Sequence, residues 1–175
     1  MLLKQLNAKT LNAAIRLKIE CWQEELAGKV IHSLDFEETY AFWHEWMGCG
    51  KAHDDVRTLL GYFDDDKLVA TIFASFAETE DHDNAVEING LFVEKAYRGQ
   101  NLSLKLLYEV LTNYQQLGKE AVIVYNHKYA PSNSFYKHFG GTIIKEVTQL
   151  SGALIVEVFY FDLNNLLTRI KEKIQ

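Results

Sequence analysis

The sequence predicts a mixed sheet covered by helices on both faces, in the α/β or α+β range. Three observations carry that expectation. Apolar spacing is helical near the N-terminus and switches to strand-like alternation in the middle of the chain. The short run AVIVY is wholly apolar, as suits a strand buried on both sides. Pro131 is the single proline and no low-complexity linker interrupts the 175 residues, so 1–175 reads as one domain able to bury a core.

Leu2 to Leu6 reads as a short first strand. Leu11, Ile15, Ile19, Trp22 and Leu26 then keep helical spacing, and Gly28 is the stop. A second helix opens at Asp35, with Glu38 three residues on as in a capping box. Its stripe is Phe36, Tyr40, Trp43 and Met47, and Gly48 ends it. VRTLLGYFDDDKLVATIFASFAE alternates on either side of Asp64 to Asp66, the pattern of a hairpin. AVEINGLFV is a further strand whose Gly90 signals a bulge or a close backbone approach. Leu107, Val110, Leu111 and Tyr114 mark the helix after it, with Gly118 at its end. PSNSFYKHFGG predicts a short helix from its proline to Gly140-Gly141. TIIKEVTQL and ALIVEVFYF flank Ser151-Gly152 as a final hairpin, and the tail from Asn164 is a C-terminal helix.

Composition excludes several function classes. With 48% hydrophobic and 24% charged residues the chain is ordinary for a globular protein. A formal charge of −6 offers no basic face for nucleic acid and suits an amine-bearing partner only weakly. Cys21 and Cys49 lack metal-ligand spacing and the six histidines are scattered, so no metal site is expected and the thiols read as reduced and inert. No apolar stretch has the length of a membrane span or the form of a signal peptide, which makes the cytoplasm the expected location.

The strongest local signal is VEKAYRGQNLSLKLLYEVL, a strand end, a turn and an amphipathic helix. A helix N-terminus presents unpaired N–H groups and a positive dipole end, so it binds phosphate without help from basic side chains. Arg98 adds a charged donor and Gly99 lets the backbone turn tightly. An ordinary strand-to-helix turn with a solvated arginine fits the same residues equally well.

The order of motifs from Val86 to Phe161 resembles the GNAT superfamily of acyl-CoA-dependent N-acyltransferases. That family reads strand, V-x-x-x-[YF]-R-G-x-G-x-[GA]-x-x-L-L, helix, strand, short helix with F-Y-x-x-x-G, and a closing hairpin. Here LFVEKAYRGQNLSLKLL supplies Val93, Tyr97, Arg98, Gly99 and Leu106-Leu107, and SNSFYKHFGG supplies Phe135, Tyr136 and Gly140. The first 50 residues look like the family's N-terminal arm. The resemblance implies a mostly antiparallel central sheet, and acetyl-CoA as co-substrate. It implies that the backbone of Leu91, Phe92 and Val93 lies along the pantetheine arm. It also implies that Arg98, Gly99, Gln100, Asn101, Leu102 and Ser103 surround the pyrophosphate.

Three positions depart from the family. Asn101 stands at the family's second glycine; asparagine tolerates the left-handed conformation better than most residues, at a cost of roughly 1 kcal/mol or less. Ser103 stands at the following Gly/Ala position and can offer a hydroxyl to phosphate. A family asparagine falls on Tyr129, and Asn133, four residues on, reads either as its replacement toward the cofactor or as an exposed polar residue.

The resemblance assigns Tyr136 the proton donor to the departing thiolate, a role its phenol suits; ring packing in a helix is compatible with it. Glu87 lies where several family members carry a general base, and an exposed or salt-bridged glutamate is the plainer reading. Strict alternation puts Glu87 on one face with Asn89 and Leu91, unless a bulge intervenes. Glu78, Asp81, His82 and Asp83 read as a solvated charged loop. Trp22, Glu24, Glu25, His32, Tyr40, Trp43, His44 and Trp46 make the helical arm aromatic and acidic, which suits a small-molecule amine or a peptide or protein amine, and equally a helix core. A non-catalytic acyl-CoA-binding domain, or a module that forms a homodimer through the C-terminal hairpin, are the rival expectations.

Overall fold

The computed structural model describes residues 1–29 and 33–175. The order of elements is β1 (Leu2–Gln5), α1 (Ala8–Leu26), α2 (Phe36–Gly48), β2 (Thr58–Asp64), β3 (Lys67–Phe76), β4 (Ala85–Val93), α3 (Leu102–Gln116), β5 (Ala121–His127), α4 (Asn133–His138), β6 (Thr142–Gln149), β7 (Leu154–Asp162) and α5 (Leu163–Ile174). Every element expected from the sequence is present. The short helix α4 begins at Asn133, two residues later than its proline suggested, with Pro131 in the turn before it.

Local chemistry sets the helix starts. Asn7 caps α1, its side chain accepting from the Lys9 and Thr10 amides while Thr10 Oγ1 accepts from the Asn7 N–H at 2.9 Å. Asp35 caps α2 through the Glu38 amide at 2.9 Å, and Asp162 caps α5 through the Asn165 amide at 2.8 Å.

The strands form a seven-stranded sheet in the order β1-β2-β3-β4-β5-β7-β6. All neighbours are antiparallel except β4 and β5, which run parallel. One face is covered by α1 and α2, with Leu11, Ile15, Trp43, Leu59 and Phe73 buried between them and the sheet. The other face carries α3 and α5, where Leu106, Val110, Leu111, Leu166 and Ile170 pack against Ile72, Val86 and Phe159. Central β3 is buried almost throughout and β6 is an exposed edge.

What positions the site is the partial pairing of β4 with β5. Ala85–Ile88 pair with Ala121–Val124 and the pairing stops there. Beyond it β4 continues along β3, Gly90 opposite Phe73 and Val93 opposite Ala70, while β5 continues along β7 to His127. The strands part because β4 bulges: Ala74 faces Ile88 and Phe73 faces Gly90, leaving Asn89 as the extra residue. The bulge also reverses side-chain parity. Leu91 and Val93 pack toward the α3 face, and Phe92 meets Phe73 on the α1 side, so Leu91 does not share a face with Glu87.

Gly141 closes the turn between α4 and β6 under tight constraint. A Cβ there would sit 2.6 Å from Phe161 Cζ and 2.9 Å from the Tyr136 carbonyl oxygen. Gly141→Ala is expected to destabilise the fold by about 2 kcal/mol and to lower the melting temperature by roughly 6 °C, measured by thermal unfolding.

Candidate active site

The parting of β4 from β5 opens a cleft roofed by α1 and bounded below by α4. Its inner compartment is lined by Lys18, Trp22, Asn89, Tyr125, Asn126 and Gln149 among others. An outer compartment is lined by Cys21, Val93, Arg98, Ser103 and Phe135. Glu25, Leu91, Phe92, Ser132 and Tyr136 border both, so the two are continuous.

Leu91, Phe92 and Val93 lie on the stretch of β4 that has no β5 neighbour. A strand without a neighbour exposes main-chain donors and acceptors, the groups that an extended amide-bearing chain can pair with. The Val93 carbonyl is already engaged, accepting from Arg98 Nε at 3.0 Å.

The turn that follows has the conformation expected of a phosphate-binding loop. Gly99 has φ +78° and Asn101 φ 60°, ψ 19°, so asparagine here does adopt the left-handed geometry of the glycine it replaces. No side chain caps α3, which leaves the amides of Leu102, Ser103 and Leu104 without carbonyl partners in the helix. Gly99, Gln100 and Asn101 are exposed, Ser103 is half-buried and borders the outer compartment, and the Leu102 side chain is buried beneath the helix. Arg98 is more constrained than a solvated arginine. Its Nη2 donates to Glu24 Oε2 at 2.6 Å, and with its Nε on Val93 it clips the turn to α1.

Tyr136 sits on α4 with its side chain packed against Phe135, Phe159 and Phe161, and is only 8% exposed. Burial pushes its phenol well above the ordinary tyrosine range, with the nearby Glu25 carboxylate acting in the same direction. It therefore stays protonated at any working pH.

Glu87 is the third residue of β4 and is flanked by Ser75 of β3 and Ile123 of β5. Burial, reinforced by Asp81 and Glu78, pushes its carboxyl up to about 7, against a hydrogen bond from Asn89. It is neither exposed nor salt-bridged, which corrects the plainer reading. Ile88 and Asn89 line the inner compartment but Glu87 stands just behind them.

Asn133 is not the exposed polar residue that was one of the two readings weighed for it. It is 7% exposed, its Nδ2 donates to the His127 and Lys128 carbonyls at 3.0 and 2.9 Å, and its Oδ1 accepts from Asn126 at 2.7 Å. With its amide so engaged it braces the end of β5. Tyr129 does not replace the missing asparagine either: its ring is exposed and its carbonyl accepts from Lys29 Nζ at 2.7 Å.

The structure also collects residues that sequence reasoning missed or left unassigned. Asn126 lines the cleft and donates to Ser132 Oγ at 2.9 Å, and Ser132 in turn lies 3.4 Å from Glu25 Oε1. His127 is buried beside Glu25 with both ring nitrogens unbonded among the described residues, and burial lowers its pKa, so it is neutral. Asp81, read as part of a solvated loop, is instead covered, accepting from Tyr125 and Lys145. Of the aromatic arm, Trp22 and Glu25 reach the cleft, Trp43 and Trp46 pack with Tyr40 against the sheet, His44 is exposed, and His32 lies outside the described residues. Among the described residues no cluster suits a metal ion, both cysteines are free, and no helix is long and apolar enough to cross a membrane.

This architecture is shared with solved acetyltransferases. The PaiA N-acetyltransferase of Thermoplasma acidophilum, crystallised with coenzyme A, superposes with a TM-score of 0.66 at 21% identity over 89% of this chain and 96% of its own. An N-acetyltransferase from Staphylococcus aureus Mu50 gives 0.69 at 11% identity, covering 93% and 98%. An aminoglycoside 6'-N-acetyltransferase complexed with coenzyme A gives 0.67 at 14% identity, covering 93% and 97%. No curated protein matches the sequence. The family model described as Acetyltransferase (GNAT) family matches residues 13–140, most of the chain and all of the cleft's first wall and turn. The protein therefore belongs to the GNAT acetyltransferase family, whose co-substrate is acetyl-CoA.

Proposed function

We propose that the chain, as one domain, transfers an acetyl group from acetyl-CoA to a primary amine by direct attack within a ternary complex. The amine belongs to a small molecule or to a peptide or protein, and the setting is the cytoplasm. The observation that carries this reading is the parting of β4 from β5 above Tyr136. Acetyl-CoA supplies the acetyl group as a thioester and leaves as a thiolate. The free main chain of Leu91 to Val93 orients the pantetheine and offers N–H groups to the reacting carbonyl. The open amides of Leu102 and Ser103, with the turn Arg98 to Asn101, hold the pyrophosphate. Tyr136, protonated at neutral pH, gives its proton to the departing sulfur. Glu87 takes the amine proton through water, since it stands behind the cleft wall and its pKa lies where a base is half ionised near neutrality.

Calorimetric titration with acetyl-CoA tests the reading. Asn101→Asp is the clean loop variant, being isosteric and placing a negative charge against the pyrophosphate, whereas Arg98→Ala would also release Glu24 and Val93. Wild-type binding that weakens at least tenfold in Asn101→Asp, with an unchanged melting temperature, is the expected result. No binding by the wild type at millimolar ligand would overturn the proposal.

A further inference from the structure

Lys18 is the residue that the acetyl-transfer reading leaves unused. It stands on α1 with Nζ 4.9 Å from the Phe92 ring centroid, 5.5 Å from Trp22 and 5.7 Å from Trp43. Three aromatic rings enclose the ammonium, yet none of the hydrogen bonds or ion pairs among the described residues uses it. A cation withdrawn from water costs stability unless an anion meets it, and ring faces offset only part of that cost.

The place of Lys18 says which anion is missing. It lines the inner compartment and not the outer one, where Arg98 and Ser103 face the turn. Among the described residues of the inner compartment it is the sole lysine or arginine, and His127 there is neutral with its ring nitrogens sealed. Pantetheine and pyrophosphate belong to the outer side, so the inner side is left for the acceptor. The carboxyl that lines the same compartment, Glu25, forms no ion pair with Lys18, and burial raises its pKa, weakening it as a competitor. Burial likewise lowers the Lys18 pKa to about 8, opposed by Glu25 and Cys21, so it stays mostly charged at neutral pH and gains from an incoming anion.

We propose that Lys18 is a carboxylate-binding residue, and that the acceptor is an amine that also carries a carboxylate, of the amino acid class. The aromatic enclosure of Trp22 and Phe92 would receive the acceptor's apolar part beside that carboxylate. This rests on the acetyltransferase reading above, because it names the acceptor of the same site.

The test is calorimetry on the full chain, with and without coenzyme A, using matched pairs: leucine and leucinamide, phenylalanine and phenylalaninamide, 4-aminobutyrate and 4-aminobutyramide. At least one acid is expected to bind tenfold or more tightly than its amide. Lys18→Met should level that pair, with a melting temperature equal to or above wild type, and Lys18→Arg should keep the preference. Succinyl-CoA against acetyl-CoA is the control for a carboxylate carried by the donor. Equal binding of every acid and amide, no acid binding at all, a preference that survives Lys18→Met, or a Lys18-dependent preference for succinyl-CoA alone would overturn the inference. Should Lys18→Met fail to fold, the wild-type pairs and Lys18→Arg still decide. Failure of coenzyme A to bind would remove the acetyltransferase reading instead, and the titrations without it keep the two failures distinct.

Discussion

Tyr136→Phe is expected to lower kcat by about 100-fold while the dissociation constant for acetyl-CoA stays within roughly twofold of wild type. The contacts that hold this residue are made by its ring, against Phe135, Phe159 and Phe161. Phenylalanine keeps all of them, so the fold and the cleft wall survive the change. What disappears is the proton that the hydroxyl holds at the sulfur as charge develops there. An interaction made only in the transition state lowers kcat and leaves ground-state binding alone. Thiol release under saturating amine gives the rate, and calorimetry gives the binding. An unchanged kcat would make Tyr136 a packing residue and nothing more.

A second large effect belongs to Glu87. A base must be ionised to work, so kcat/KM in the wild type should rise about tenfold per pH unit on the acid side and level off above about 7. Glu87→Gln should remove that limb and lower the plateau by about 100-fold. Stability runs the other way. The folded state raises the Glu87 pKa above its unfolded value, so it holds the proton more tightly than the unfolded chain does. That contribution is fully present below the unfolded pKa of 4.5 and is lost as pH rises through about 7. Allowing for the partial exposure of the carboxyl, the loss is on the order of 2 kcal/mol. The Gln variant escapes it. Relative to wild type it should therefore melt higher at pH 8 than at pH 5.

The order of elements was legible because it depends on local chemistry. Asp35 and Gly48 bracket α2, Asp64 to Asp66 turn β2 into β3, and the stripe Leu107, Val110, Leu111 and Tyr114 is the buried side of α3. The backbone of the turn before α3 was legible too, down to the left-handed Asn101, since conformation follows residue type closely there. Long-range consequences were not. Gly90 announced an irregular strand, but the residue left over is Asn89, and only the pairing with Phe73 and Ala74 shows it. Asn133 looked free because its partners, two carbonyls at the end of β5 and Asn126, are supplied by the way α4 folds back on that strand. Lys18 belongs to no motif in the sequence. Its isolation becomes visible only when Phe92, some 74 positions on, is brought under it.

The partial pairing of β4 with β5 bears on how the chain folds. The sheet consists of two antiparallel halves, β1 to β4 and β5 with β7 and β6, each assembled largely through turns between sequence neighbours. Only the four-residue parallel zipper between Ala85–Ile88 and Ala121–Val124 stitches them into one sheet. Parallel pairing needs a crossover, which α3 supplies, so the seam closes only once that helix is in place. The joining of the two halves into one sheet thus waits on α3. The cleft opens where that seam ends, so a ligand that bridged its walls would also tie the two halves of the sheet together and raise the stability of the whole.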